Sequence, residues 1–223
     1  MRINQFLAQV LGISRRTADK EIEAGNVRIG KNRAKLGDQV TPKDVVEYKC
    51  EAIKNTKLNP TTIMLNKPVG YITSRKRDET TAPTVMELLP KELQHLRPIG
   101  RLDKESCGLL LLTDDGDLLY RSTHPKFEVE KEYMVEFDTP LSQMEMVMWK
   151  QGMKLIDGIA RADKIVREGK RFRVVLHQGK NRQIRRMAGK TGNKVNFLQR
   201  TRSGDVSLGS LPTGEWKQLP NKK

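Results

Sequence analysis

The sequence has few cysteines, no long apolar run and few aromatic residues, and each shortage excludes a class of protein. The only cysteines, Cys50 and Cys107, show no CxxC spacing, so neither a disulfide framework nor a cysteine-ligated zinc site is expected. Uninterrupted apolar runs such as residues 109–112 are far too short to cross a bilayer. The first residues also lack the basic start and apolar stretch of a secretory signal. These absences favour a protein of the reducing cytoplasm, with no membrane partner.

Nucleotide-binding and metal-binding motifs are missing as well. There is no Walker A signature and no GxGxxG pattern, and His95, His124 and His177 do not stand at metal-ligand spacing. A zinc-dependent nuclease or deaminase is therefore not expected. Aromatic residues make up 5% of the chain, which favours one or two placed rings over a broad stacking platform for single strands.

Positive charge is what the chain has in excess. Its 223 residues include 42 Lys and Arg against 27 Asp and Glu, a formal charge of +15, and this length suits one large domain or two unequal ones. Residues 164–202 hold thirteen of the basic residues and a single acidic one, Glu168. A basic surface that serves only solubility would intersperse the two signs. The concentration therefore favours a phosphate-facing surface and a nucleic-acid partner.

The beginning of the chain predicts two helices followed by short strands. Apolar residues recur at helical spacing over residues 3–10. Ser14 is positioned to cap a second helix, and Gly25 supplies the left-handed residue that ends it. Apolar alternation at 26–30 and 39–48 predicts half-buried strands.

Three stretches of this first unit match a known pattern: SRRTA at 14–18, IEAGNV at 22–27 and LGDQV at 36–40. They resemble the S4 RNA-binding module, over about residues 1–50. In that family the second helix, with its basic first turn, lies on structured RNA. The resemblance therefore implies that Arg15 and Arg16 contact RNA.

A larger second unit is expected after a linker. Residues 51–62 are polar and lack periodicity, which is typical of a linker, and the second domain is predicted over 63–223. The apolar run at 108–113 predicts a strand that is buried on both faces. Alternation of apolar and polar residues at 171–177 predicts a strand with one solvent-exposed face. Ser142 and Glu145 stand at capping-box spacing, which predicts a helix that ends at Gly152. Strands and helices alternate without a βαβ rhythm. The predicted fold class is α+β: a small α/β module and a domain on a mixed, mostly antiparallel sheet with flanking helices.

Asp103 is the first candidate for chemistry. The charged stretch 101–105 follows Gly100 and directly precedes the buried strand, so Asp103 is expected on a loop at the end of the sheet. A carboxylate there can enter a cleft. The alternative is an Asx turn, in which the Asp side chain only binds neighbouring backbone amides.

A second candidate is an amphipathic helix that Asn181 is positioned to cap. Arg185 falls at the seam between its two faces, where a half-buried guanidinium can pair with a carboxylate in a cleft. A basic helix that touches only phosphates is the alternative. The apolar face comprises Ile184, Met187, Ala188 and Thr191, and the basic face comprises Arg182, Arg186 and Lys190.

Tyr133 is the third candidate. It shares one side of a predicted strand with Val135 and Phe137, so its ring is expected to point inward. An inward tyrosine is commonly a core residue whose hydroxyl binds the backbone. Periodicity alone does not separate that role from one in a binding pocket.

Seven motifs then occur in a known order: LNKPVG (65–70), GRLD (100–103), TDDGDL (113–118), KEY (131–133), NRQIRRM (181–187), LQRTR (198–202) and LPTGEW (211–216). With the S4-like module in front, nearly the whole chain resembles the RsuA-type pseudouridine synthases of bacteria. The NRQIRRM and RTR stretches are most similar to the RluF branch, which acts on large-subunit rRNA.

The resemblance implies an enzyme that isomerises uridine to pseudouridine in rRNA without a metal or nucleotide cofactor. It places the essential aspartate at Asp103, acting as a nucleophile or as a base. Its basic partner falls at Arg185, the ring that stacks on the target base at Tyr133, and the aliphatic wall of the pocket at Ile184. Arg101 would fill the gap left by the flipped base. The residues expected to hold phosphates of the RNA are Arg182, Arg186, Lys190 and Lys194.

Two other classes of function remain open at this stage. An RNA-binding assembly factor would use Asp103 only to support a turn, whereas an enzyme acting on a small anionic metabolite would not need the S4-like module. We expect a monomer whose substrate is 23S rather than 16S rRNA, and a tRNA stays open as a second substrate.

Overall fold

The computed structural model describes residues 1–41, 43–53, 60–75 and 82–220. The chain forms two compact units, one built mainly from the first 60 residues and the other mainly from Thr61 onward. No helix in the described part of the chain is long and apolar enough to span a membrane.

The first unit packs two helices on a small antiparallel sheet. Ser14 caps the second helix as predicted, because its hydroxyl accepts a hydrogen bond from the Thr17 amide at 3.0 Å. Ile3, Leu7 and Ala18 are fully buried between the helices and the sheet. The sheet order is β2-β1-β3-β4. The elements are α1 (Ile3–Val10), α2 (Arg15–Glu23), β1 (Val27–Ile29), β2 (Asn32–Arg33), β3 (Val46–Tyr48) and β4 (Glu51–Ile53).

Two predicted boundaries of this unit differ in the structure. The strand predicted over 39–48 begins only at Val46, because the Thr41 amide donates to the Asp44 carboxylate at 2.7 Å and the chain turns there. The linker predicted over 51–62 overlaps strands at both of its ends, while residues 54–59 lie outside the described part of the chain.

The second unit contains three α-helices and eleven strands among its described residues. Three short 3-10 helices, Val85–Leu88, Lys91–Leu93 and Pro125–Phe127, lie in its connections. The helices are α3 (Gly116–Thr123), α4 (Gln143–Gln151) and α5 (Gln183–Lys190). The strands are β5 (Thr62–Lys67), β6 (Arg97–Ile99), β7 (Cys107–Thr113), β8 (Lys131–Phe137), β9 (Met153–Leu155), β10 (Gly158–Ala160), β11 (Lys164–Glu168), β12 (Arg171–Leu176), β13 (Val195–Ser203), β14 (Val206–Ser207) and β15 (Trp216–Gln218).

A nine-stranded sheet is the frame of this unit. Its main order is β11-β12-β8-β13-β7-β5-β15, with β6 added to β7 and β14 added to β13, while β9 and β10 form a separate hairpin. Only the β13–β7 pairing is parallel among the described strands, which confirms the mixed, mostly antiparallel sheet. All seven residues of β7 are buried, as its apolar run predicted.

The one parallel pairing depends on a glycine. Gly108 in β7 has a φ of +99°, and a Cβ placed there would lie 2.4 Å from the Arg200 carbonyl oxygen of β13. No side chain larger than hydrogen fits between two backbones at that distance. Gly108 therefore allows β7 and β13 to approach, which places the loop before β7 beside the strand that packs under α5.

The helix predictions for this unit are confirmed at α4 and corrected at α5. Ser142 and Glu145 form the predicted capping box, and Gly152 ends α4 with a φ of +107°. Asn181 does not cap α5, so that prediction is wrong. The N-cap residue is Arg182, which adopts a left-handed conformation with a φ of +47° and directs its side chain to a distant carboxylate instead of the helix amides.

Candidate active site

The loop between β6 and β7 holds its backbone through long-range hydrogen bonds. Every carbonyl oxygen from Leu102 to Ser106 accepts one. The donors, in chain order, are the Thr73 hydroxyl (2.8 Å), the Ser106 amide (3.0 Å), the Gly70 amide (2.8 Å), the Arg185 guanidinium (2.9 Å) and the Lys67 ammonium group (2.7 Å). The position of the Asp103 side chain is therefore fixed through the backbone on both sides of it.

The Asp103 carboxylate itself has little local support. It accepts no hydrogen bond from any described residue, so the Asx-turn alternative is not what the structure shows. Its nearest cation is Arg182, whose Nη1 lies 3.9 Å from Oδ2, and the side chain is 28% exposed. A carboxylate that is held in place but left without donors is available to a substrate.

Arg182 binds Glu105 more closely than Asp103. The Nη1 atom of Arg182 donates to Oε2 of Glu105 at 2.7 Å. This hydrogen bond lowers the pKa of Glu105 and raises that of Arg182. The arginine is thereby kept close to Asp103 without being bound to its carboxylate.

Arg185 does not pair with Asp103, although the resemblance implied that pairing. Its Nη2 donates to the Glu105 carbonyl at 2.9 Å, and its Nη1 donates to the Val195 carbonyl at 3.1 Å. Burial lowers the pKa of the guanidinium, although the nearby carboxylates oppose that shift. Its Nε is buried without a partner among the described residues. The guanidinium therefore connects α5 and β13 to the Asp103 loop, because two backbone carbonyls occupy the positions that a carboxylate would take.

Lys67 lies beneath the same loop and is fully buried. Its ammonium group donates to the carbonyls of Pro68 at 2.9 Å and Ser106 at 2.7 Å. Burial lowers its pKa to about 8, while the charges of Cys107, Asp103 and Glu105 oppose the shift. Lys67 thus joins the end of β5 to the start of β7, directly behind the loop.

A cavity of about 230 Å³ opens beside Asp103. This volume is below the roughly 300–1,000 Å³ of pockets for drug-sized ligands, and it suits a single flat ring. Tyr133 lines it and packs partly against two hydrophobic cores, so its ring is both a core and a pocket residue. The predicted site residues that line this cavity are Arg101, Asp103, Tyr133, Arg182 and Ile184.

Two glutamines hold the part of the cavity wall that leads into α5. Gln183 is buried, and its amide donates to the Gln178 side chain at 3.0 Å and to the Arg161 carbonyl at 3.3 Å. Its side-chain oxygen accepts the Lys180 amide at 3.3 Å. This network fixes the position of that part of the wall.

The basic residues predicted to bind phosphates fall into two groups. Arg182 and Arg186 are already engaged, since Arg186 makes two hydrogen bonds of 2.9 and 2.8 Å to Asp157. Lys190 and Lys194 are exposed, and no described carboxylate pairs with either. Ion pairs also engage other arginines of the basic segment: Arg171 with Glu136, Arg173 with Glu168 and Arg202 with Glu130. The net charge of that segment therefore overstates the free cations on its surface.

In the first unit, the two arginines predicted to contact RNA lie in the first turn of α2. Arg15 donates to the Asn4 side chain at 3.2 Å, and Arg16 is exposed with no partner among the described residues. Both remain accessible to an anionic ligand.

Comparison with known proteins identifies the family of the chain. Residues 61–190 match the RNA pseudouridylate synthase family, and residues 1–46 match the S4 domain. The chain is 37% identical to the dual-specificity RNA pseudouridine synthase RluF of Escherichia coli K12, over 98% of this chain and 75% of RluF. The chain belongs to the RNA pseudouridine synthases.

Two other relatives match this chain over nearly their whole length. The ribosomal small subunit pseudouridine synthase A of Yersinia pestis is 34% identical, over 100% of this chain and 96% of that protein. A solved pseudouridylate synthase is 30% identical with a TM-score of 0.69, and the match covers 99% of this chain and 96% of that one. The α+β fold and the S4-like module predicted from the sequence are thereby confirmed.

Sequence reasoning missed several residues that shape the site of this synthase. Lys67 entered only as part of a motif, although a lysine within a short apolar strand is itself a signal of a buried, functional charge. Thr73 gave no signal, because its contact with Leu102 joins residues 29 positions apart. Gln183 entered only within a motif, and its contact with the Arg161 carbonyl joins residues 22 positions apart.

Proposed function

We propose that this synthase converts uridine to pseudouridine in rRNA and that Asp103 is its catalytic residue. The observation that carries the proposal is the state of the Asp103 carboxylate. Its loop is held at every carbonyl from Leu102 to Ser106, whereas the carboxylate faces a base-sized cavity without accepting a hydrogen bond from the described residues.

The reaction needs one carboxylate and no added group. The N1–C1′ bond of uridine breaks, the uracil turns, and C5 bonds to C1′. C5 then loses its proton, and N1, which carried none in uridine, gains one. Asp103 serves this exchange either as a nucleophile at C1′ or as a base that opens a glycal route. Both routes use the carboxylate form of the side chain.

Tyr133 and Ile184 are proposed to enclose the flipped uracil. Both line the cavity beside Asp103, and a planar base held between a ring and an aliphatic side chain keeps its apolar contact while it turns. Flipping a base costs a few kcal/mol of stacking. Arg101, which lies exposed at the cavity wall without a partner among the described residues, is proposed to fill the vacated position in the RNA.

The contacts of Arg182, Arg185 and Arg186 revise the roles proposed for them. Arg185 acts as a positioning residue, since it holds the loop backbone and does not bind the Asp103 carboxylate. Arg182, with its Nη1 at 3.9 Å from Oδ2 of Asp103, is the cation that lies beside the carboxylate in the cleft. Arg186 contributes to RNA binding only if the RNA displaces Asp157 from it.

Exposed cations are proposed to hold the RNA backbone. In the catalytic unit these are Lys190 and Lys194, and in the S4-like unit they are Arg15 and Arg16. Large-subunit rRNA is the proposed substrate, because the motifs at 181–187 and 198–202 are most similar to the RluF branch. The 37% identity to RluF, against 34% to the small-subunit synthase, supports the same choice.

Tritium release from rRNA labelled with [5-³H]uridine tests this proposal. Purified protein, as a monomer and without added cofactor, is expected to release tritium from 23S but not from 16S transcripts. Release from 16S rRNA alone would overturn the choice of substrate. No release from either transcript or from assembled subunits, despite tight binding, would overturn the proposed function.

A further inference from the structure

A cluster of exposed aromatic rings lies on the catalytic unit outside the site described above. Tyr120 of α3 is 47% exposed and Phe127 of the following 3-10 helix is 40% exposed. Their ring centroids are 5.7 Å apart, and the His124 ring lies 4.9 Å from Tyr120. The chain has only four tyrosines and five phenylalanines. A group of half-exposed aromatic rings is therefore a candidate binding surface.

The cluster carries a positive charge. The Lys126 ammonium group lies 5.1 Å from the Tyr120 ring centroid and 4.7 Å from that of Phe127. No carboxylate among the described residues pairs with it. Rings combined with an unpaired ammonium group match the chemistry of a nucleotide, which offers a flat base and an anionic phosphate.

A second cavity shares residues with the Asp103 cavity and reaches His124 of this cluster. It has a volume of about 570 Å³, and His124 and Pro125 form part of its wall. Arg101 and Tyr133 line both cavities, so the two share a wall. The remaining cationic residues that line the larger one are Lys131, Lys180 and Arg200. The larger cavity therefore extends from the wall that it shares with the Asp103 cavity to His124 of the cluster.

We propose that the larger cavity and the Tyr120–His124–Lys126–Phe127 cluster bind an unpaired nucleotide that flanks the target uridine. The backbone of the RNA passes the cationic wall, and the flanking base stacks on the rings beside Lys126. This inference rests on the proposed RNA substrate. It adds a recognition site that selects RNA in which a neighbour of the target is unpaired, since a base inside a duplex cannot reach the rings.

The double variant Tyr120→Leu/Phe127→Leu tests the site by steady-state kinetics of tritium release. We expect KM to rise at least fivefold, because the variant removes both rings on which the flanking base stacks, while kcat stays within twofold. Phe197→Leu is the matched control, since Phe197 lies under Arg171 at 4.4 Å but lines neither cavity. Tyr120→Phe, which keeps the ring, is expected to behave as the wild type.

A KM within twofold of wild type, or an equal rise in the Phe197→Leu control, would overturn the inference. So would a change in self-association of the double variant, seen by analytical ultracentrifugation, because the cluster would then be a contact between copies. If the wild type releases no tritium, the proposed function fails, and filter binding of the same rRNA still tests the cluster with the same variants.

Lys126→Gln tests the charge separately. Loss of one phosphate contact with single-stranded RNA is expected to reduce the slope of log K against log salt concentration by about 0.7. An unchanged slope would contradict a phosphate contact at Lys126.

Discussion

Replacement of Thr73 by valine isolates the role of the Asp103 loop in catalysis. The Thr73 hydroxyl donates to the Leu102 carbonyl at 2.8 Å and accepts the Leu102 amide at 3.1 Å. Valine keeps the shape of the side chain and leaves both backbone groups unpaired. Each unpaired group costs ~1–3 kcal/mol when buried, and this pair is only partly buried. We expect the free energy of unfolding to fall by ~2–3 kcal/mol.

The catalytic effect of Thr73→Val is expected to exceed what stability explains. Misplacement of a reacting group by about 1 Å can cost roughly 100-fold in rate, so we expect kcat for tritium release to fall at least tenfold well below the unfolding temperature. Thr113→Val is the matched control. Its hydroxyl also makes partly buried hydrogen bonds, to the Thr61 carbonyl at 3.1 Å and the Thr62 hydroxyl at 2.9 Å, at the opposite end of β7.

Thr113→Val should lose similar stability and keep kcat within twofold. Equal losses of kcat in the two variants, or a Thr73→Val enzyme with wild-type kcat, would refute the idea that the fixed backbone of the loop positions Asp103.

Three further changes test the packing, the buried charge and the ring. Gly108→Ala places a Cβ 2.4 Å from the Arg200 carbonyl oxygen at a φ of +99°. The free energy of unfolding measured in urea should therefore fall by ~2–4 kcal/mol. An unchanged urea midpoint would contradict the close approach of the two strands. Lys67 has a pKa of about 8 in the folded chain and near 10.5 when unfolded; the unfolded chain therefore binds more protons between those values, and the unfolding free energy should rise with pH across that window. Lys67→Met should remove this rise, and an identical pH slope in the variant would exclude Lys67 as its source. Tyr133→Phe should retain activity in tritium release and Tyr133→Leu should lose most of it, whereas equal activity of both would remove the stacking role.

The sequence pattern was sufficient to predict those elements that depend only on neighbouring residues. The apolar spacing of α1, the Ser14 cap and the capping box of α4 depend on residues within one or two turns, and all three are confirmed. The mixed sheet and the buried strand β7 followed from hydrophobic runs and turn residues.

The predictions failed where a distant residue decides the conformation. Asn181 is a better helix cap than arginine, yet the bond from Arg182 to Glu105, 77 positions away, accompanies a left-handed Arg182 and a helix that starts at Gln183. Arg185 was correctly placed at a half-buried seam. Its partners are backbone carbonyls, one of them 80 positions away, and amphipathic periodicity carries no information about those. The residues that surround Asp103 were predictable through motifs, but the hydrogen bonds that hold its loop were not.

Single-turnover pseudouridine formation by Asp103→Asn tests the central claim most directly. Asparagine keeps the size of the side chain and removes the charge, so we expect the rate to fall by at least about 10³-fold while the affinity for rRNA stays within threefold. Asp157→Asn is the matched control, because that carboxylate pairs with Arg186 of α5 but lines neither cavity. It should keep a rate within threefold of the wild type. An Asp103→Asn enzyme within tenfold of the wild-type rate would contradict the assignment of the catalytic carboxylate.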